Sequence, residues 1–176
     1  MVEIVVMLAI LVAISTVVLT GFPGFNEAGA LFGGAEQIAL ALRHAQNIAF
    51  AVAEVELEDQ SRVTPLRIGV HFDMAAPTEY FLFVDQNQDN IYTGGVDGVM
   101  RGREHLTRGI AITALRDGNG ASLSEANVVF TSPEADTAIT NDVTSVGSVL
   151  TVELSAPNSG NTKTVTVRTS GQISIQ

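Results

Sequence analysis

The chain has 176 residues, a formal net charge of −10, and nine basic side chains against nineteen acidic ones. That balance excludes general nucleic-acid binding, which is driven by neutralising phosphates, and the length suits an anchor segment plus one domain of common size. There is no cysteine, so loops must be held by hydrogen bonds, packing or a metal rather than by disulfides.

The first element is an almost unbroken apolar run, Ile4 to Leu19, that begins directly after a lone carboxylate, Glu3. About 16 residues make roughly 24 Å of helix, slightly short of the roughly 20 residues of a membrane span. Gly21 and Phe22 lengthen the run toward that span. A charge at the centre of a hydrocarbon-buried helix costs about 2.5–3.5 kcal/mol. Glu3 therefore requires an opposite charge or a place among lipid headgroups. An ordinary secretory signal peptide carries Lys or Arg here. Ser15, Thr16 and Thr20 are tolerable because their hydroxyls can bond back to helix carbonyls, and Ala9, Ala13 and Ser15 are small enough for close helix approach.

Gly21-Phe22-Pro23-Gly24 interrupts this helix, since Pro removes a donor and Gly loosens the backbone. A second, amphipathic helix is expected from Asn26 to Ala53. Its stripe is Ala28, Leu31, Phe32, Ala35, Ile38, Ala39, Leu42, Ala45, Ala49 and Val52, in steps of three and four. Gly33-Gly34 weakens its first turns.

After an acidic stretch (Glu54, Glu56, Glu58, Asp59), alternation takes over. Leu66, Ile68, Val70 and Phe72 predict a half-buried strand. Tyr80–Val84, Ile110–Leu115, Asn127–Thr131, Ser148–Leu154 and Thr162–Arg168 follow, and Ile173 with Ile175 closes the chain. The loop Ser155 to Asn161 makes a hairpin of its flanking strands, and Thr169-Ser170-Gly171 is a tighter turn. Short links favour antiparallel pairing.

Met1-Val2-Glu3-Ile4-Val5-Val6-Met7-Leu8-Ala9-Ile10-Leu11 resembles the start of type IV pilins and type II secretion pseudopilins. Met1, Val2 and Glu3 match the third, fourth and fifth residues of a mature chain of that family. The resemblance implies that a basic leader, its Gly and two mature residues lie upstream. Leu40-Ala41-Leu42-Arg43-His44-Ala45-Gln46-Asn47-Ile48-Ala49 is similar to the helix of the minor-pseudopilin, prepilin-type cleavage and methylation subgroup. Val128-Val129-Phe130-Thr131-Ser132-Pro133 and Gly171-Gln172-Ile173 look like the terminal strands of pilin-like proteins. The fold implied is α+β and pilin-like: a long N-terminal helix, apolar over 1–25 and amphipathic over 26–53, packed on a C-terminal antiparallel sheet domain that is β-rich over 64–176.

The implied function is structural. The chain would be a subunit, in the minor class, of a type IV pilus or pseudopilus-like filament. Glu3 would pair with the N-terminal amine of a neighbouring subunit. The implied partners are other pilin subunits, a prepilin peptidase and an inner-membrane assembly platform. The implied location is the cytoplasmic membrane before assembly and a cell-surface filament afterwards. Two other readings stand beside it. One is a membrane-anchored extracellular binding module that does not polymerise, displaying loops 85–98 and 132–146. The other is a DNA-uptake minor pilin, disfavoured because its basic candidates, Lys163 with Arg168 and Arg101 with Arg103, are sparse.

One stretch has metal-like spacing. Asp85, Asn87 and Asp89 occupy alternate positions, the Ile91 carbonyl could add a fourth oxygen, and Asp97 lies near the closing position of a Ca²⁺ loop. It departs from an EF-hand: Asn90 replaces Gly, though Asn tolerates the left-handed conformation, Val96 stands where a bidentate Glu belongs, and no second helix follows. The stretch reads either as a Ca²⁺-stapled loop or as a polar turn whose Asp and Asn side chains satisfy their own backbone. No catalytic reading arises. His44, His71 and His105 lack metal-type spacing, Glu54, Glu56 and Glu58 form a solvated run, and no nucleophile, P-loop or dinucleotide motif occurs.

Overall fold

The computed structural model describes residues 2–21, 23–100, 102–157 and 160–176, with the side chains of residues 17–26 outside that description. Two helices come first, α1 (Val2–Gly21) and α2 (Pro23–Ala51). They adjoin on either side of Phe22, a residue of the expected break that lies outside the described residues. Within α1 the hydroxyls of Ser15 and Thr16 donate to the carbonyls of Leu11 and Val12, at 2.7 and 2.6 Å, as polar side chains on an apolar helix do. The Thr20 side chain lies outside the described residues.

α2 begins at Pro23, where a missing N–H costs nothing, and ends in a Schellman-type cap. The Ala53 N–H reaches the Ile48 carbonyl and the Val52 N–H reaches Ala49. The buried stripe is Leu31, Ala35, Ile38, Ala39, Leu42, Ala45, Ile48 and Ala49. Ala28, Phe32 and Val52, expected on it, face solvent instead. Ile48 takes a place the stripe had left empty. Gly34 brings the helix close to β-domain side chains, since a Cβ there would lie 3.1 Å from the Ile110 side chain.

The expected single antiparallel sheet behind one long helix is not what forms. Among the described residues the β domain forms three sheets. The first is a small hairpin of β1 (Val55–Glu56) and β2 (Arg62–Val63). The second runs β10-β9-β3-β4-β5, with β6 also on β4. Its strands are β3 (Arg67–Asp73), β4 (Glu79–Val84), β5 (Gly98–Val99), β6 (Glu104–His105), β9 (Glu125–Thr131) and β10 (Asp136–Thr140). The third runs β13-β12-β11-β7-β8, built from β7 (Ala111–Asp117), β8 (Ser122–Leu123), β11 (Val149–Ser155), β12 (Thr162–Arg168) and β13 (Ile173–Ile175). The hairpin expected around 155–161 joins β11 to β12, and the 132–146 segment, expected as a display loop, contributes β10. The chain is thus α+β in content but differs from the pilin-like architecture. α2 lies against β3 and β9 of one sheet and β11, β12 and β13 of the other.

The reason lies in the side-chain period. Alternation says which face of a strand is apolar, not which strand becomes its neighbour. Ile68, Val70 and Phe72 of β3, Val128 and Phe130 of β9, Leu150, Val152 and Leu154 of β11, and Val165 and Val167 of β12 all reach one core with α2. Two sheets and one helix can share that core because each supplies a single apolar face. The third sheet is solvated on its outer side, with Thr151, Glu153, Thr164 and Thr166 alternating with the buried set.

β3 and β4 depart from the half-buried expectation in another way. Both are buried on both faces over their central residues. The second face of β4 carries Phe81 and Phe83, which with Val129 form a separate small core covered by Tyr92 and Val99. The Tyr80-Phe81-Leu82-Phe83-Val84 run is apolar at every position, as a strand covered on both sides requires. The cover is the loop between β4 and β5, and its construction decides what that loop can do.

Candidate functional site

That loop contains every residue with metal-like spacing. Asp85 follows β4 and is 2% exposed, and Asp97 precedes β5 and is 8% exposed. The Asp85 N–H donates to the Arg67 carbonyl at 3.1 Å, prolonging the β3–β4 ladder by one bond. The carboxylate then turns into the loop. Its Oδ1 accepts the Gln88 N–H at 2.6 Å and its Oδ2 the Asn90 N–H at 2.9 Å. Asp97 does the same from the other end, taking the Gln86 N–H at 2.9 Å on Oδ1 and the Thr93 N–H at 2.7 Å on Oδ2.

The exposed middle of the loop closes on itself. Asn87 Nδ2 donates to Asp89 Oδ2 at 2.8 Å, and the Ile91 N–H donates to Asp89 Oδ1 at 2.8 Å. Gln88 and Asn90 have φ of 63° and 65°, the left-handed conformation that Asn accepts more readily than most residues. Thr140 on β10 donates its hydroxyl to the Asn90 carbonyl.

Burial raises the Asp85 carboxyl above its ordinary range, and the Asp97 and Asp89 charges push the same way; the Asn90 and Gln88 N–H bonds oppose them. One cation is at hand. Arg67 Nη1 donates to the Gln88 carbonyl and lies 3.9 Å from Asp85 Oδ2. Its side chain is 25% exposed and that of Asp85 is 0% exposed, so the pair sits at the loop's inner wall.

A calcium ion takes six to eight oxygens at about 2.3–2.6 Å. Both oxygens of each of Asp85, Asp89 and Asp97 accept an N–H, and Asn87 meets Asp89 twice, donating from Nδ2 to Oδ2 and accepting the Asp89 N–H on Oδ1 at 3.3 Å. The Ile91 main chain enters the loop through its N–H. Among the described residues no group of three or more His, Cys, Asp or Glu is arranged to hold a metal. Each of these side chains bonds the loop's own backbone or a neighbour within the loop, as Asp and Asn do in a polar turn.

Glu3, the other predicted site residue, lies on the exposed first turn of α1. Every described α1 side chain, from Val2 to Thr16, is exposed. Among the described residues no helix is long and apolar enough to cross a membrane; α1 side chains are described only as far as Thr16.

No family model, curated protein or solved structure matches this chain.

The three histidines are separated. His44 stands on the exposed side of α2 beside a cavity of about 490 Å³ that also meets Glu54, Glu56, Arg62 and Met100. Arg62 pairs with Glu56 across the β1–β2 hairpin at 3.4 Å. His105 lies 3.6 Å from Glu79, which Arg103 also approaches at 3.8 Å. Of the basic residues set aside as a DNA-binding patch, Arg103 is further engaged over the Phe81 ring at 4.7 Å. Arg101 lies outside the described residues.

His71 is the histidine that sequence reasoning undervalued. It is buried on the second face of β3, between the rings of Phe81 and Tyr92. The available signal was its phase: His71 falls out of step with Ile68, Val70 and Phe72, on the same face as Gly69. Arg67 carried no such signal, because its partners are main-chain and side-chain atoms about twenty residues away.

Proposed function

We propose that this chain is a structural subunit, in the minor class, of a filament of the type IV pilus or type II secretion pseudopilus kind. It assembles through its N-terminal helix. The observation that carries the reading is α1. Val2, Ile4, Val5, Met7, Leu8, Leu11, Val12 and Ile14 are each more than half exposed on a helix whose described residues contain one charge, Glu3. Covering a Val, Leu or Ile side chain is worth about 1.5–3 kcal/mol, and a surface of this kind marks a membrane or protein contact. The resemblance of residues 1–11 to the start of pilin chains supports the filament version of that contact.

In this reading α1 rests in the cytoplasmic membrane until an assembly platform draws it into the polymer. There Ala9, Ala13 and Ser15 let neighbouring helices approach closely. Glu3 meets the terminal amine of an adjacent subunit, since a buried carboxylate persists when an opposite charge offsets it. A prepilin peptidase prepares that amine.

The test compares membrane and sheared-surface fractions of cells making the native gene product. The wild-type chain is expected in both fractions with residues 3–20 intact by N-terminal sequencing. Glu3→Ala is expected to stay in the membrane and be absent from sheared material, with an unchanged melting temperature of the β domain. A mature product that begins beyond residue 20 ends this reading. A wild-type chain confined to the membrane fraction favours an anchored binding module instead.

A further inference from the structure

The loop between β4 and β5 is acidic, sharply turned and wrapped over an apolar face, conditions under which a bound cation commonly supplies the order. Here the cation is part of the chain. Arg67 opens β3, and its carbonyl accepts the Asp85 N–H at 3.1 Å. Its backbone is thereby fixed to the residue from which the loop departs. From that position Nη1 donates to the Gln88 carbonyl and stands 3.9 Å from the fully buried Asp85 carboxylate. A main-chain carbonyl and a carboxylate are oxygen ligands of the kinds a Ca²⁺ loop offers its ion. Gln88 is also a residue at which the chain bends through positive φ.

We infer that Arg67 is the built-in cation of the 85–97 loop, holding by guanidinium contacts an arrangement that needs no divalent metal. An arginine suits the role because it stays charged and its planar fork presents several donors in fixed directions. The contrast with a metal-stapled loop lies in the carboxylates. They are satisfied by N–H groups of the loop itself, which leaves Arg67 the carbonyl and the inner edge of Asp85. The inference stands on the loop alone and is independent of any role for α1.

The test is thermal unfolding of the full chain, with EDTA and with millimolar CaCl₂, beside a terbium titration. Tyr92, within the loop, would sensitise the luminescence of any lanthanide bound there. The wild type is expected to melt at the same temperature in both solutions and to give no saturable terbium signal. Arg67→Ala is expected to melt several degrees lower in EDTA, and Arg67→Lys to fall between the two. A calcium-dependent rise in the wild type that Asp85→Asn abolishes overturns the inference, as does saturable terbium emission. An Arg67→Ala chain that melts with the wild type overturns it equally. Should Arg67→Ala not fold, the wild-type calcium and terbium arms still decide the matter.

Discussion

His71 and Asn127 face each other across β3 and β9, with His71 Nδ1 2.8 Å from Asn127 Oδ1 and both side chains buried. The Tyr92 N–H donates to the same oxygen at 3.4 Å. Oδ1 is therefore an acceptor on both sides, and His71 carries its proton on Nδ1. The Tyr92 ring packs on His71 at 5.0 Å and on Phe81 at 4.8 Å, so this bond links the two strands to the loop that covers them.

A pH dependence follows. Burial lowers the His71 pKa below 6.5; Asn127, Asp73 and Asp142 pull it upward, and Arg103 adds to the lowering. Below about pH 6.5 the unfolded chain takes up a proton that the native histidine resists, so this contribution to stability is complete above that pH. It is lost as pH falls toward the folded value, at no more than about 1.4 kcal/mol per pH unit. Asp85 and Glu125, both raised first by burial, act in the opposite sense, favouring the fold as they protonate. The comparison must therefore be made between variants. Circular-dichroism melts from pH 7.5 to 5.0 should show the wild type losing more stability than His71→Gln as the pH falls. Parallel curves would remove His71 from the account.

Gly69 shares that second face of β3. A Cβ there would lie 2.6 and 2.7 Å from carbons of the Phe83 ring and 3.0 Å from a Val129 methyl. Both neighbours are fully buried, so neither has space into which to retreat. Gly69→Ala should cost about 1–3 kcal/mol, the usual penalty for overpacking. Gly33→Ala is the matched control, since nothing lies within 4 Å of its added carbon. On a helix it should stabilise by up to about 1 kcal/mol. Urea unfolding of the two variants should displace the midpoint in opposite directions.

The end of α2 holds a strained residue. Val52 occupies the left-handed position of the cap with φ of 49°, where a β-branched side chain is poorly accommodated and glycine is the usual occupant. Its side chain is largely exposed, so little packing is lost on removal. Val52→Gly should raise stability by about 1 kcal/mol, the left-handed penalty for an L-residue being about 1–2 kcal/mol. Thermal melts at neutral pH check this, and a lower melting temperature would mean that Val52 contributes packing that outweighs the strain.

Much of this molecule was legible in the order of its residues. The apolar rod behind Glu3, the three-and-four spacing of Leu31, Ala35, Ile38 and Leu42, and the period-two strands from Ile68 to Ile175 all follow from local geometry, because helices and strands impose their periods on any sequence that buries one face. That the Asp and Asn side chains between Asp85 and Asp97 bond nearby N–H groups was legible for the same reason, since they are short and lie close to their own backbone. Partnership was decided only in three dimensions. That β7 joins β11 and not β4, so that two sheets flank α2, that Arg67 reaches Gln88, and that His71 meets Asn127 are contacts between distant positions. Each depends on which surfaces fill the same core, and alternation along one strand carries no record of its neighbour.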